Sequence, residues 1–363
     1  MNTYAEIDLA AVKSNINEIR RLLAPNVRFM AVVKANAYGH GAVAVARAAV
    51  EAGADYLAVA NLREALELRE AGIISPVLIL TESPTSVMDE IIQYDLTQTL
   101  YSFNEAKALS DEAQKRRKTA AVHVKVDTGM ARVGVSPSEA VAFITKIASL
   151  PALKIEGVFT HFAKAEEPHD TFTAGQFERF QQVVSKVPFI PLKHAANSAA
   201  ALFHPQTHLD MVRVGLMLFG LYPSGNARRH IELKSVLSFK SRVTHLKKVP
   251  TGTPISYGGT WSAPYDTTIA TMPVGYADGF SRRLSNRGQV IIRGKRFSVV
   301  GNVTMDMSMV NVGDARIEVG DEVVLIGEQN GQIISADEIA KLEDTISYEV
   351  ICSIGKRVPR IYK

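Results

Sequence analysis

The chain has 363 residues, 47% hydrophobic and 21% charged, enough to bury a large core as two domains or as one barrel with an addition. Its net charge of +4 is spread along the sequence; Lys115-Arg116-Arg117-Lys118 is the one dense basic cluster and reads as a solvated helix end, so no nucleic-acid partner is expected. A single cysteine, Cys352, excludes an internal disulfide, and no secretory leader or apolar run of roughly 18 residues is evident, so a cytoplasmic protein without a membrane partner is expected.

Residues 1 to 9 alternate in polarity ahead of a predicted helix from Leu9 to Leu23, and can pack with either of the two units that follow, the β domain included. Between 29 and 220, short β-branched runs alternate with longer amphipathic or alanine-rich stretches. The runs predict strands over 28–33, 56–60, 77–81, 97–101, 121–126, 155–161, 190–194 and 211–218. The stretches predict helices over Val43–Gly53, Leu62–Gly72, Asn104–Lys115, Ser136–Ser149 and Thr171–Val187, several with Asn, Ser or Thr near the start and Gly past the end. This is the pattern of a (β/α)8 TIM-like barrel over residues 1–231. An open doubly wound sheet is the runner-up, but no G-x-G-x-x-G follows the first strand.

From 232 to 363 the texture changes to a mostly antiparallel β domain. Runs over Ser235–Leu246, Thr268–Met272, Gln289–Ile292, Phe297–Val300, Met307–Val312 and Glu322–Ile326 are separated by Gly, Pro and Asn. Gly294-Lys295 is a candidate hairpin turn, and a single late helix is predicted over Ala336–Lys341.

Active sites on such barrels gather at the C-terminal ends of the strands. Lys34 ends the first predicted strand, where an amine of lowered pKa can form a Schiff base with a carbonyl compound; a solvent-facing strand-end lysine is the bland alternative. Lys125 and Asp127, followed by Arg132, end the fifth strand, and His161 ends the sixth. His194, Asn197 and Ser198 follow the seventh, and Arg213 and Gly215 lie on the eighth. Alternation puts Val122, Val124 and Val126 on one face of the fifth strand and His123, Lys125 and Asp127 on the other. With the valines against the helices, the polar three point into the barrel, where buried charge costs several kcal/mol unless paired. That marks a cation-rich cavity suited to an anion. Taken singly, His161 is equally a hydrogen-bonded strand-end histidine, and Arg132 and Arg213 read more readily as ion-pair partners. His40, His204 and His208 lack metal-ligand spacing and no Walker motif occurs, so no metal is expected.

The stretch Val32-Val33-Lys34-Ala35-Asn36-Ala37-Tyr38-Gly39-His40-Gly41 resembles the pyridoxal phosphate attachment motif of the alanine racemases. The resemblance continues in order through 125–134, 160–163, 194–199, 212–216, 255–260, 275–279, Met305-Asp306 and 357–360, essentially the whole chain. It implies an isomerase interconverting L- and D-alanine for peptidoglycan, using pyridoxal 5′-phosphate, with active sites shared between the subunits of a homodimer. Lys34 would carry the cofactor and act as the base on the D face, with Tyr257 of the other subunit opposite. Tyrosine ordinarily ionises near pH ~10, so cations or His161 must favour its phenolate.

By the same resemblance Arg213 meets the pyridine nitrogen; Tyr38, Ser198 and the backbone at Gly215 and Leu216 hold the phosphate; and His161 and Asn197 adjoin the cofactor. Arg132, Met305 and Asp306 face the substrate, and Lys125 matches a lysine that is often carbamylated. Two departures stand out: Lys356 replaces a tyrosine that reaches the phosphate, and Asn302 an arginine near the entrance. Lysine still pairs with phosphate as a point charge. A racemase preferring serine or a broader set is the alternative on this scaffold. A decarboxylase is disfavoured by Arg213, and a cofactor carrier by Tyr257 and the β domain.

Overall fold

The computed structural model describes residues 2–168 and 170–363. The chain divides into two compact units. One comprises Ala10–Ala37 and Ala42–Lys234; the other comprises Tyr38–Gly41 and Ser235–Lys363 together with the segment ending at Leu9. A short strand, β1 (Tyr4–Ile7), precedes the helix Leu9–Arg20.

The first unit holds an eight-stranded parallel sheet among the described residues: β2 (Arg28–Val32), β3 (Tyr56–Val59), β4 (Val77–Ile79), β5 (Thr97–Leu100), β6 (Ala120–Lys125), β7 (Leu153–Phe159), β8 (Leu192–His194) and β9 (Met211–Val214). Neighbours follow chain order, and β9 returns to pair with β2, Arg213 opposite Met30. Between β8 and β9 the seam is joined without a regular ladder: Arg213 N–H bonds the Ala196 carbonyl at 3.0 Å and Lys193 N–H the Asp210 carboxylate at 2.7 Å. The alternation therefore produces the (β/α)8 barrel it predicts. The helices bury one stripe each; Phe103–Lys115 covers Ala106, Leu109, Ser110 and Ala113 at helical spacing. Short helices over Met88–Gln93 and Ser198–Phe203 were not expected, because six residues carry too little periodicity to declare themselves.

The second unit is a mostly antiparallel sheet. It contains β1, β10 (Leu237–Arg242), β11 (His245–Val249), β14 (Thr267–Met272), β15 (Gln289–Ile292), β16 (Lys295–Val299), β17 (Ser308–Gly313), β18 (Glu322–Gln329), β19 (Gln332–Ile334) and β20 (Arg360–Tyr362); a separate hairpin pairs β12 (Pro254–Ile255) with β13 (Trp261–Ser262). Residues 4–7 pair antiparallel with β10 and parallel with β20, so the first and last strands lie side by side.

Three expectations change here. The run Ser235–Leu246 is two strands, because Val243 N–H bonds Asp321 while Thr244 N–H already bonds Thr271, and the chain changes partners at that point. The hairpin turn is Arg293-Gly294 (φ 50° and 74°), one residue earlier than expected; both positive φ values suit a type I′ turn. The late helix runs Ala336–Glu343, and a second, Ser347–Cys352, follows it.

Candidate active site

On β6 Val122 and Val124 are fully buried, as is Val126 just past its end, and His123 and Lys125 are buried on the opposite face. Asp127 differs from expectation. It lies past the end of β6, and its carboxylate accepts the N–H groups of Gly129 (3.0 Å) and Ala131 (3.1 Å), shaping its own loop. Room for the His123 ring comes from Gly157 beside it on β7: a Cβ there would stand 2.6 Å from His123 Nδ1.

Arg213 is 4% exposed. Its guanidinium donates to His194 Nδ1 (3.0 Å), to His161 Nδ1 (3.3 Å) and to the carbonyls of Thr160 (2.7 Å) and Ala195 (2.9 Å), none of them anionic. Its Cζ lies 5.2 Å from the Phe159 ring centre, Lys125 Nζ lies 5.6 Å from the same ring, and His194 stacks on that ring at 4.8 Å. Burial pulls Arg213 down to about 9, still a cation at neutrality. Burial first, then Arg132 and Arg213, pulls Lys125 down to about 8. Burial also drives His161 well below its ordinary value, reinforced by Arg213, Lys125, Arg132 and Lys34. Lys34, Lys125, Arg132, His161 and Arg213 thus share one electrostatic environment at the strand ends.

Ser198 Oγ accepts the N–H of Gly215 at 3.0 Å, which commits that amide within the fold. The hydroxyl proton of Ser198 and the N–H of Leu216, first in the turn Leu216–Phe219, remain as donors. Asn197 Oδ1 caps the helix Ser198–Phe203 by accepting Ala200 N–H at 2.9 Å.

The segment after Lys34 is a left-handed turn, with φ between 51° and 54° at Ala35, Asn36, Ala37 and Tyr38. At about 1–2 kcal/mol for each non-glycine residue this conformation is costly, and such strain concentrates where it serves function. Tyr38 belongs to the second unit, its ring 6.1 Å from that of Tyr348. Burial raises its phenol well above the ordinary value, so it stays a hydrogen donor. Arg360 secures this segment, giving Nε–H to the Gly39 carbonyl at 2.9 Å and its other donors to the carbonyls of Ile354, Gly355 and Val358.

Tyr257, Met305, Asp306 and Lys356 all stand exposed on the second unit, Tyr257 73% so. Asn302, on a neighbouring loop, brackets Tyr257: its Nδ2 donates to the Tyr257 carbonyl (2.7 Å), and its own carbonyl accepts from Ser256 Oγ (2.6 Å). Asp306 pairs with Arg357 at 2.6 Å, and Arg357 in turn with the buried Asp278 at 2.7 Å. Sequence reasoning passed over Phe159, Gly157, Asp278 and the pairing of His123 with His194. Strand alternation had already turned His123 inward, but neither its partner nor the other residues carry a local signal.

Two family models match the chain: alanine racemase, N-terminal domain, over residues 7–223, and alanine racemase, C-terminal domain, over 236–362. The alanine racemase of Halothermothrix orenii is 49% identical over 366 residues, covering 99% of this chain and 97% of that one. The structure of alanine racemase from Clostridium difficile 630 superposes with a TM-score of 0.96 at 41% identity, covering 100% of this chain and 96% of that one. Alanine racemase from Bartonella henselae with covalently bound pyridoxal phosphate gives 0.90 at 29% identity, covering all of both chains. A serine-preferring enzyme is not favoured by these likenesses. Barrel, β domain and matched length agree: the chain belongs to the alanine racemase family and is an isomerase that interconverts L- and D-alanine.

Proposed function

We propose that the enzyme works with pyridoxal 5′-phosphate held on Lys34, and that Lys34 and Tyr257 are opposed acid/base groups, Tyr257 coming from a second copy of the chain. The observation that carries the cofactor reading is the positive charge gathered at the strand ends: Arg213 and Lys125 are buried, Arg213 meets only neutral partners, and half-buried Lys34 and exposed Arg132 bear with them on His161. Such charge costs several kcal/mol unless an anion offsets it, and a phosphorylated ligand with an amino-acid carboxylate has the right sign. Bound there, the cofactor supplies an electron sink that loosens the Cα proton of an amino acid.

The chain's own groups then divide the work. As the family resemblance implies, Ser198 Oγ–H, Leu216 N–H and Tyr38 Oη–H would hold the phosphate, with Lys356 as a point charge; Gly215 would act through Ser198, whose oxygen its amide fixes. Arg213, still a cation, would donate a hydrogen bond to the pyridine nitrogen without surrendering a proton, which would limit the sink and keep the reaction at proton exchange. His161 and Asn197 line the cofactor. Arg132, Met305 and Asp306 receive the substrate, alanine. Lys34 Nζ removes or returns the Cα proton on one face, and Tyr257 Oη does so on the other, since one group cannot readily serve both sides of a plane.

The exposure of Tyr257, Met305, Met307 and Tyr276 on neighbouring loops supports burial against a second copy, and hence a homodimer. No helix among the described residues is long and apolar enough to cross a membrane. The lone cysteine suits a reducing cytoplasm, where D-alanine would serve peptidoglycan.

Borohydride reduction of the purified protein should fix the cofactor on the Lys34 peptide; an unmodified peptide would end this reading. Tyr257→Phe should cut racemisation at least a hundredfold, as loss of one acid/base group does. Unchanged turnover in both directions would sink the two-base part.

A further inference from the structure

The left-handed turn after Lys34 contains no glycine through Tyr38, so its shape must be imposed by its surroundings. Within the barrel unit, hydrogen bonds that help hold it come from three places. Ala37 N–H reaches the Val33 carbonyl at 2.8 Å, Asn36 Oδ1 accepts Ala42 N–H at 2.8 Å, and Glu64 Oε1 accepts Ala35 N–H at 2.8 Å.

Glu64 is the informative one. It is the third residue of the helix Leu62–Glu70, where a capping-box glutamate would turn back to the N–H of the cap residue, Asn61. It does not. Asn61 Oδ1 already caps the helix by accepting Glu64 N–H at 3.1 Å, and both oxygens of Glu64 go outside the helix. One accepts Ala60 N–H at 2.7 Å, just past β3; the other accepts the N–H of the residue bonded to Lys34, just past β2. A carboxylate thus ties together the C-terminal ends of adjacent barrel strands, using charge-assisted bonds that are stronger than neutral ones.

We propose that Glu64 is a positioning residue, whose carboxylate holds the left-handed turn in register and so sets the direction in which Lys34 is presented to the cofactor. The proposal rests on the reading that Lys34 carries pyridoxal phosphate. Glu64 touches neither cofactor nor substrate in this scheme; it acts through the Ala35 amide.

The test compares Glu64→Ala, Glu64→Gln and Asn61→Ala in the purified holoenzyme by two readouts. The first is amide hydrogen exchange of a peptide spanning residues 34–41. The second is the rate at which pyridoxal phosphate is lost to a trapping reagent, followed by its visible absorbance. Glu64→Ala should speed exchange and cofactor loss about tenfold or more, the scale of one charge-assisted hydrogen bond. Glu64→Gln, which keeps one accepting oxygen and the same volume, should fall between Glu64→Ala and wild type. Asn61→Ala removes the helix cap alone and should leave both readouts within about twofold while lowering the melting temperature. If Glu64→Ala behaves like Asn61→Ala, Glu64 is only part of the cap and the proposal fails. If exchange rises but cofactor loss does not, the turn is held without consequence for Lys34, and the proposal fails equally. Should Glu64→Ala not fold, the ordering of Glu64→Gln against Asn61→Ala decides alone. Wild-type protein devoid of pyridoxal phosphate would refute the cofactor reading, a result separate from the exchange readout, which tests the anchoring directly.

Discussion

Arg213 donates from Nη1 to His194 Nδ1 at 3.0 Å, and this one bond dictates the tautomers of two histidines. A guanidinium has no acceptor, so His194 Nδ1 must be unprotonated and its proton must sit on Nε2. That Nε2 lies 2.8 Å from His123 Nδ1, which is then the acceptor, leaving the His123 proton on Nε2. Donation runs one way, from Arg213 through His194 to His123, and the two histidines orient Arg213 from behind.

Replacing His194 by leucine should therefore be far worse than loss of a ring in the core. It strands one buried Arg213 donor and the Nδ1 of His123, at about 1–3 kcal/mol for each unsatisfied group. A destabilisation of about 3 kcal/mol or more by urea unfolding is expected; less than about 1 kcal/mol would show that the pair does not matter.

The same histidines set an acid limit. Burial, then the neighbouring charge of Arg213, pulls His123 down to about 3; burial, then His123 and Arg213, pulls His194 well below its ordinary value. In the unfolded chain both protonate near pH ~6.5, so below that pH the unfolded state binds more protons and stability falls. Two such protons correspond to a slope of about 3 kcal/mol per pH unit at its steepest, extending for His123 from about 6.5 towards its folded value of about 3. Unfolding free energies measured between pH 7 and 5 should drop with this sign, and a flat profile would contradict neutral burial.

Gly157 is required by its neighbour rather than by its own backbone. An alanine Cβ would lie 2.6 Å from His123 Nδ1 and 2.7 Å from Cε1, against a ring that is fully buried and hydrogen-bonded. Gly157→Ala should cost about 1–3 kcal/mol through overpacking, read as a lowered midpoint in urea. A neutral or stabilising alanine would mean that the ring can give way.

Lys125, pulled down to about 8, offers roughly a tenth of its amine in the free form at pH 7, where an ordinary lysine offers less than about one part in a thousand. Carbon dioxide adds to a free amine with release of one proton, so carbamate on Lys125 should increase as pH rises from about 6 to 8.5. Under ¹³C-bicarbonate, a carbamate signal is expected to follow that curve and to vanish in Lys125→Arg. A signal that survives the substitution would assign it elsewhere.

Local chemistry made much of this molecule readable. The eightfold alternation of β-branched runs with helical stretches needs only neighbours in sequence, and so does the two-residue alternation that turns His123 and Lys125 away from Val122, Val124 and Val126. Asp127 broke the pattern because β6 ends before it, and a carboxylate beside free loop amides binds those first. The strand change at Val243 and Thr244 was invisible for a related reason: both sides are extended, and only the identity of the partner differs.

What folding alone could decide is which distant groups become neighbours. Side-chain period and turn residues are encoded within a few positions, whereas the pairing of Ala5 with Arg360, of His123 with His194, and of Glu64 with the amide beyond Lys34 depends on strand order and loop path. A hydrogen bond tolerates only a few tenths of an ångström, far less than periodicity can specify. Lys34 could be picked out from its motif; that a left-handed turn follows it, and that a carboxylate from the helix Leu62–Glu70 accepts the first amide of that turn, only the assembled barrel reveals.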